Sequence, residues 1–564
     1  YWRDWSSDVC SSDLVSHSAN STTQLYSLDI DITNELTINS GGSIDVSEKG
    51  YGPVSDGLDG NGPGAGQSSG TGVSGGGGAY GGEGGDASDG QSGGLAHGST
   101  TNPVSLGSSG GGAGNISQLS GAGGGLALLD VTGTTTILGT ISVDGGDGNS
   151  SAGSDGAGGG SGGAINLTTG ALYGTGSVTA NGGEGFDDTE DGGGGGGGRI
   201  AIAYTTGSTT NLTLQAFGAT GPGAADSGAA GTIYEKTAAQ TYGDLTIDNN
   251  SVVTDTASTP LATGTAAFSL NDLTVSNNAS ATVPTTLTLY GDYTNTALVD
   301  FSANGTTTFF GTALQTATGT MTGTSAFNNV EITNVSGTDA QSTPSIIFGA
   351  DSAFANFTAE TPGVMVQFQS TATTTMTNFN VTGADGDEVY LYSTDAATAW
   401  NVDVTGTSTI SYANVKDSNA ADNTSGTITA ATSTDATGNT NWNFGAGGGT
   451  TVTWDGGGAD NDWETALNWS GDAVPTDTDD VVIDTAVFVE LNGSTTVNSI
   501  QLGSSTASVA SQLSFAYNAT SGDPLIIDDG DFIIHNGATL THASGSTATA
   551  LGVISVDVQT GDFT

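Results

Sequence analysis

The sequence has very few basic residues. Of 564 residues, five are Lys or Arg and 58 are Asp or Glu, which gives a formal net charge of −53. Nucleic acids and anionic membrane surfaces are bound through clustered Lys and Arg, so this composition argues against both as partners. Charged residues make up only 11% of the chain, compared with roughly 25% in ordinary domains. Solubility must therefore rest on Thr, Ser, Asn and Gly, which suits an extracellular surface.

Cysteine is almost absent, and the single one lies in an unusual segment. Residues 1–14, YWRDWSSDVCSSDL, resemble the conceptual translation of a sequencing-library adapter, and we expect them to be an artefact outside the fold. Without them the chain has no cysteine, which excludes disulfides and thiolate metal sites. Four bases remain, namely Lys49, Arg199, Lys236 and Lys416. We expect both native termini to be missing.

Long apolar runs and helical patterns are missing as well. No run of about 18 apolar residues is present, so we expect no membrane span. No helical apolar period of useful length appears, whereas short segments alternate apolar and small polar residues. The chain has ten prolines, so strands are rarely interrupted. The sequence therefore predicts an all-β fold.

Residues 15–240 are glycine-rich and repetitive. Thr132-Gly133, Thr169-Gly170 and Thr206-Gly207 recur every 37 residues, each after a short apolar segment that follows a glycine run. A second strand-like segment follows the first two, at 139–148 and 176–185. One such unit cannot bury its apolar face, but stacked copies can, so the pattern predicts a β-solenoid with long glycine-rich loops. A disordered glycine-rich linker is the alternative.

Residues 241–446 carry more Thr and Asn and a different signature. An apolar or aromatic residue, any residue, an Asx and an apolar residue recur at 242–247, 270–275, 327–332 and 376–381. The spacing of about 20 to 37 residues matches one or two coils of a parallel β-helix. We expect each Asx to turn the chain at a corner and to hydrogen-bond its equivalent in the next coil.

Residues 447–564 form a third region that is rich in tryptophan at its start. Trp454, Trp463 and Trp469 lie in an aromatic, turn-rich segment that leads into alternating sequence. One interpretation is a cap at the start of a further, truncated β-solenoid module. The other is a surface on which glycans stack.

Several segments resemble one family of proteins. They are TISVDGGDG, GGAINLTTG, GGGGGGGRIAIAY, ISYANVKDSNAADN and the W-D-G-G-G…D-W…N-W-S block. They are similar to repeats of large Gly/Thr-rich bacterial cell-surface proteins of the adhesin and autotransporter-passenger type, and the resemblance covers most of residues 34–500.

The resemblance implies a fold and a location but no defined activity. It implies a right-handed parallel β-helix followed by a second β-rich module, in a secreted, outer-membrane-associated protein. The expected function is structural or adhesive. Surface glycans or the surfaces of host and neighbouring cells are the expected partners, and the chain is expected to be a monomer.

No catalytic pattern stands out, so we expect no enzyme and assign no catalytic, cofactor-binding or metal-binding residue. The four histidines, His17, His97, His535 and His542, lack a partner pattern. Lyase chemistry on a β-helix needs a base or a metal cluster. Arg199 lies between a glycine run and a strand, where a packing role is the favoured interpretation.

Acidic residues suggest calcium more than catalysis. Asp477, Asp479 and Asp480 are close in sequence, but such groups arise by chance among many acids. Segments 81–86 and 182–187 match the first six positions of a calcium-binding nonapeptide, yet they are not in tandem. The prediction is therefore no cofactor. The alternative is loose calcium binding by loop carboxylates of Asp187, Asp188, Glu190 and Asp191.

Three function classes follow from these patterns. The favoured one is a structural or adhesive passenger that displays loops on a stiff solenoid. The alternative is a carbohydrate-binding or polysaccharide-processing parallel β-helix. An ice-binding solenoid fits poorly, because it needs Thr at alternate positions, whereas the Thr runs of this chain are contiguous.

Overall fold

The structure, a computed structural model, describes residues 14–114, 119–149, 155–262, 267–384, 386–444, 451–477, 479–504, 508–515, 525–527, 531–542 and 556–558. Strands make up 41% of the described residues and helix 1%, so the fold is all-β, as predicted. Helix in these ranges is limited to two three-residue 3₁₀ turns, Gly323–Ser325 and Ala466–Asn468. Neither is long and apolar enough to cross a membrane. Of the expected artefact at 1–14, only Leu14 lies within the described ranges.

The chain divides into two compact units. The first comprises Tyr1–Asn334 and Phe348–Ala355, and the second comprises Val335–Ile347 and Asn356–Thr564. Strand pairs with a described register are parallel in both units, with one antiparallel exception in the first. The sequence division at 241 and 447 stays a prediction.

The glycine-rich part of the first unit contributes two parallel sheets. A short-stranded sheet consists, in spatial order, of Leu14–Val15, Ser43–Asp45, Thr140–Ser142, Ser177–Thr179 and Thr213–Gln215. A long-stranded sheet consists of Leu28–Ile32 and Glu35–Ile38, which both pair with Leu126–Ile137, and then of Ala164–Gly174, Arg199–Gly207 and Thr232–Thr237. Ile141 lies opposite Val178, so the 37-residue interval brings equivalent strands into register.

Alternating side chains of both sheets share one apolar core. Ile141 and Val178 of the short-stranded sheet and Ile165 and Ile200 of the long-stranded sheet are buried in it. Burying one such side chain stabilises the fold by roughly 1.5–3 kcal/mol. A single repeat exposes this face, and stacking repeats in register removes it from water.

The glycine segments that were predicted as long loops are buried and hydrogen-bonded. Residues 192–198 belong to no strand, yet each is buried. Their backbone N–H groups donate in a threefold cycle, in which successive residues bond to three different neighbouring segments. Residues 193 and 196 donate to the carbonyls of 75 and 78, residues 194 and 197 to those of 226 and 229, and residues 195 and 198 to those of 183 and 180. Three residues per turn without internal hydrogen bonds is the geometry of a polyproline II helix. This packing argues against the disordered-linker alternative.

A second segment, 156–163, repeats the cycle. The N–H groups of Gly156, Gly159 and Gly162 donate to the carbonyls of residues 190, 193 and 196, while the intervening N–H groups turn to other neighbours. The extended glycine segments thus bond sideways to several neighbours at once. Glycine is required because a Cβ atom at Gly195 would lie 2.1 Å from the carbonyl oxygen of Gly160.

The interior changes sides of the long-stranded sheet at residues 237–244. There the chain makes a hairpin, and Asp244–Asp248 pairs antiparallel with Thr232–Thr237. Ile233 lies opposite Thr246, and Tyr234 lies opposite Leu245. Directly opposed residues point to the same face, so buried Leu245 lies on the face of Tyr234, away from the core that contains Ile233.

The Thr-rich part of the first unit continues as parallel strands in three sheets. The long-stranded sheet proceeds through Asp244–Asp248, Leu273–Ser276, Tyr293–Asn295 and Gln315–Gly319. A second sheet contains Thr259–Pro260, Ser280–Val283 and Leu298–Phe301. A third contains Phe268–Leu270, Thr286–Leu289, Thr306–Phe309 and Phe327–Ile332. Aromatic rings fill the interior, for example Phe301 and Phe327 with centroids 4.4 Å apart.

Two of the four Asx residues of the repeating signature, Asp244 and Asp272, belong to a ladder, whereas Asn329 and Asn378 lie within strands of another sheet. The Asp244 carboxylate accepts the backbone N–H of Asp272 at 3.2 Å, and the Asp272 carboxylate accepts that of Asp292 at 2.7 Å. The Asp292 carboxylate in turn accepts the N–H of Thr316 at 2.7 Å. The expected bond between equivalents is therefore present here, with the backbone as donor. Burial and the neighbouring carboxylates raise the pKa of Asp272.

The second unit contains two groups of parallel strands before residue 445. One is Met365–Phe368, Val389–Ser393, Ala413–Lys416 and Thr434–Asp435, and the other is Thr373–Thr382, Trp400–Ser411, Ser418–Asn419, Ile428–Ala431 and Trp442–Asn443. Strands Ile346–Phe348 and Ser352–Ala359 lie at the division between the units.

After residue 450 the second unit forms three further parallel sheets. Their strands, in spatial order, are Thr451–Thr453, Asp480–Ile483, Ser499–Leu502 and Phe532–Ile534; then Phe488–Leu491, Gln512–Phe515 and Thr539–His542; then Thr495–Val497, Leu525–Ile527 and Val556–Val558. From Asp480 onward, the chain supplies one strand to each sheet in the same cyclic order.

We expect Gly195→Ala to destabilise the protein, because the new Cβ would meet the Gly160 carbonyl at 2.1 Å. Overpacking of this kind costs about 1–3 kcal/mol or more. Thermal and urea unfolding of the full chain measure the loss. The matched control is Gly493→Ala, whose Cβ would meet nothing closer than Glu464 Oε1 at 3.7 Å. Equal stability of the two variants would contradict the tight packing of the glycine segments.

Candidate functional site

A buried cationic cluster lies on the outer face of the long-stranded sheet. Arg199 begins its strand directly after the glycine run and is fully buried. Its Nε donates to the carbonyl of His97 at 3.0 Å, and its Nη1 donates to the hydroxyls of Thr100 and Thr232 at 3.0 and 3.1 Å. Its guanidinium lies 5.7 Å from the ring centroid of Tyr80. Arg199 thus attaches the segment around residues 97–100 to the sheet, consistent with the packing role predicted for it.

Burial shifts the pKa of each titratable group in this cluster. It lowers the pKa of Arg199 to about 10, and it raises the pKa of Tyr80 to about 12. His97 packs against Tyr80 with ring centroids 4.9 Å apart. Burial, together with the nearby charge of Arg199, lowers the pKa of His97 to about 4. The cluster therefore contains one cation and a neutral imidazole at pH 7.

An open groove of about 570 Å³ lies beside this cluster on the same face of the sheet. Its floor follows the strand register, in which Asn166, Ala201 and Tyr234 are paired in one row. Thr168, Ala203 and Lys236 form the next row. Ile202 also contributes to the lining. The groove lies where the apolar interior changes from one face of the long-stranded sheet to the other. At this point the outer face is exposed between the part covered before the hairpin and the part covered after it.

Two walls enclose the floor. Thr101 and Asn102, which follow the Arg199-bound segment, form one wall. Thr241 and Tyr242 of the hairpin, with residues 267–269, form the other. The Tyr234 hydroxyl accepts the N–H of Gly243 at 2.8 Å, which fixes the hairpin over the sheet.

The groove offers neutral polar groups and aromatic rings. Asn166 Nδ2 donates to Asn102 Oδ1 at 2.8 Å, which leaves a donor of Asn102 and an acceptor of Asn166 for other partners. The Tyr242 ring lies 4.8 Å from Tyr290, and Tyr290 lies 5.2 Å from Phe310. Phe310 is 45% exposed, so an aromatic row extends from the groove along the surface.

Lys236 is the one charged side chain that lines the groove. Among the described residues its ammonium group has no hydrogen bond or ion pair. Lys416, in contrast, donates to Gln341 at 3.1 Å and lies 5.7 Å from the Tyr392 ring centroid. Lys236 is thus a cation available to a ligand.

The three tryptophans of the third region are core residues. Trp454, Trp463 and Trp469 are at most 3% exposed, and Trp469 packs edge-on against both other rings. Side chains this deeply buried are unavailable to a sugar, so the hypothesis of a glycan-stacking surface at these residues is wrong. They share one apolar core with strands of all three sheets that follow residue 450, and the cap interpretation stays a prediction.

The carboxylates considered for calcium are partly engaged by the backbone. Asp191 accepts the N–H of Asp188 at 3.1 Å and that of Ala224 at 3.1 Å, while Glu190 accepts the Ser88 hydroxyl at 3.3 Å. Within the described ranges no group of three or more His, Cys, Asp or Glu side chains is placed to hold a metal ion. Calcium binding at Asp187, Asp188, Glu190 and Asp191 stays a prediction.

The other sequence candidates are not brought together as a site. Asp479 accepts the N–H and the hydroxyl of Thr476 at 2.7 and 2.8 Å, and Asp480 accepts from Asn498 at 2.6 Å. His17 lies in the first unit, whereas His535 and His542 lie in the second. Sequence reasoning had singled out Lys236 as a rare base and Tyr242 as part of a repeat. It did not place them in one groove, because that juxtaposition depends on the hairpin.

The chain matches no known protein family model. Searches of curated proteins and of solved structures likewise give no significant match.

We expect the stability of the protein to fall as the pH drops from about 6.5 to 4, in part through His97. The folded state holds its pKa near 4, whereas an unfolded histidine titrates near 6.5. In this window the unfolded chain binds the proton more readily, so the free energy of unfolding falls by up to about 3 kcal/mol. Urea unfolding at pH 7.5 and pH 4.5 measures the change.

The variant His97→Gln isolates this contribution, because carboxylates titrate in both chains. Its loss of stability between the two pH values should be smaller than that of the unchanged chain by about 2–3 kcal/mol. His535→Gln serves as the matched histidine control. If His97→Gln and the unchanged chain lose the same stability, the neutral buried state of His97 is wrong.

Proposed function

We propose that this chain is a structural and adhesive region of a secreted bacterial surface protein, coiled as a right-handed parallel β-helix and associated with the outer membrane. The recurrence of parallel pairs between nearby segments carries the proposal. Pairs such as Ser280 with Leu298 and Ala127 with Ile165 lie 18 and 38 residues apart in the sequence. In the coil that we propose, each such return advances the stack by about 4.8 Å.

A stack of this kind suits display. Each repeat contacts mainly its neighbours, so length can grow without a larger core. The excess of acidic residues keeps such surfaces apart by mutual repulsion. Turns and edges along the stack then present side chains to other surfaces, and the groove at Lys236 and Tyr242 is one such place. We propose that the chain acts as a monomer and carries no catalytic residue or cofactor.

The proposal is tested by adhesion. Beads coated with the chain should attach to bacterial or animal cells more than beads coated with an unrelated protein of equal net charge. Attachment no better than the control would contradict adhesion.

The alternative is a carbohydrate-binding or polysaccharide-processing protein, and the open groove with its aromatic and amide lining favours the binding part of it. Grooves of 300–1,000 Å³ with a few convergent polar groups are the usual form of small-ligand sites. Mass spectrometry of polysaccharides incubated with the chain separates binding from processing. We expect intact polymers, whereas new shorter products would favour an enzyme.

A further inference from the structure

The charge of the groove lining differs from that of the chain. Acidic residues outnumber basic ones by 58 to five over the whole sequence. The groove is lined by residues 101, 102, 166, 168, 201–203, 234, 236, 241, 242 and 267–269, which include no Asp or Glu and one Lys. A rare base therefore faces a neutral surface, where an anionic ligand group would meet an attractive charge without an adjacent carboxylate on the lining.

Neighbouring acids are turned away from Lys236 or already engaged. Glu235 precedes it on the strand and points to the opposite face, since side chains alternate along a strand. The carboxylate of Asp244 accepts hydrogen bonds from Gln240 at 2.9 and 3.0 Å and from Asn271 at 2.7 Å. Lys236 thus keeps a free ammonium group near two acids that do not neutralise it by direct contact.

The remaining lining matches a sugar better than a peptide or an apolar molecule. Sugars have hydroxyl groups that require neutral donors and acceptors, which Asn102, Asn166 and Thr168 provide. They also have a C–H face that packs on an aromatic ring, which Tyr242 provides at the groove wall. The aromatic row through Tyr290 to Phe310 extends this contact beyond one sugar unit.

We propose that the groove binds an acidic polysaccharide, with Lys236 pairing with the carboxylate of a uronic acid unit. Asn102, Asn166 and Thr168 hydrogen-bond its hydroxyls, and Tyr242 packs against the ring of a sugar unit. Arg199 acts as a positioning residue, because it holds the segment that ends in Thr101 and Asn102 through His97 and Thr100. This inference rests on the proposed adhesive function and names its ligand class.

Isothermal titration calorimetry of the full chain tests the inference with defined probes. The probes are tetragalacturonate, tetramannuronate and a hyaluronan tetrasaccharide, each compared with its carboxyl-esterified form. We expect at least one acid form to bind, and its esterified form to bind about tenfold more weakly or worse, because a hydrogen bond to a charged group is lost. Absence of binding by every acid form would overturn the inference.

Variants connect binding to the groove. Lys236→Met should weaken binding of the acid form about tenfold and leave binding of the esterified form unchanged. Lys49→Met removes the same charge elsewhere and should leave both affinities unchanged. Tyr242→Leu keeps apolar bulk but removes the ring, and should weaken both forms. Thermal unfolding of each variant shows whether it folds. If folded Lys236→Met binds the acid form as the unchanged chain does, the inference is wrong.

An attachment experiment distinguishes a failure of this inference from a failure of the adhesive function. Beads coated with the Lys236→Met chain should attach to uronate-coated surfaces less than beads coated with the unchanged chain. If both kinds of bead attach equally well to cells, adhesion stands and the groove is not its site. If neither attaches to any cell or uronate surface, the adhesive function itself fails.

Discussion

Close contact between neighbouring backbones is the constraint on which the first unit depends. In the threefold glycine segments, hydrogen bonds leave one segment in three directions and end on backbone carbonyls of other segments, including those of Gly, Ala and Asp residues. Carbonyl oxygens come so near that a methyl group at Gly195 or Gly160 would overlap them. The apolar core beside these segments is formed by ordinary alternating strands. Strands and glycine segments therefore stabilise one another, since the strands Leu126–Ile137, Ala164–Gly174 and Arg199–Gly207 each begin directly after a packed glycine run.

The second constraint is that the apolar interior changes from one face of the long-stranded sheet to the other. A hairpin at 237–244 reverses the strand direction, and buried Leu245 then lies on the face opposite Ile233. Before the hairpin, the core that contains Ile233 covers one face of the sheet, and the segments that contain Tyr80 and Thr100 cover part of the other. After the hairpin the interior lies on that other face, which leaves an exposed patch between the two coverings. The groove with Lys236 and Tyr242 occupies this patch. The proposed ligand site is thus formed by the topology, at the point where the interior changes from one face of the sheet to the other.

The few bases of the chain are used in different ways. Arg199 is buried without a carboxylate partner and is held by a carbonyl, two hydroxyls and an aromatic face. A buried charge of this kind is costly unless its donors are satisfied. The Nε and Nη1 groups of Arg199 are satisfied in this way, whereas its buried Nη2 has no hydrogen-bond partner among the described residues. Lys416 is paired with an amide and a ring. Lys236 is available to the proposed ligand, and the net charge of the chain alone would not indicate a cationic binding residue.

The sequence by itself determined the all-β class, the 37-residue spacing of register-matched strands and the role of Asp244 and Asp272 at repeating turns. These follow from period-two alternation and from the local turn chemistry of Asx residues, which act over a few residues. Tertiary structure decided the rest. It turned glycine segments that were predicted as loops into a hydrogen-bonded layer, whose partners are distant in the sequence, as for Gly193 and Gly75. It buried the tryptophans, and it brought Asn102, Asn166, Lys236 and Tyr242 to one groove, because a hairpin moved the core across the sheet.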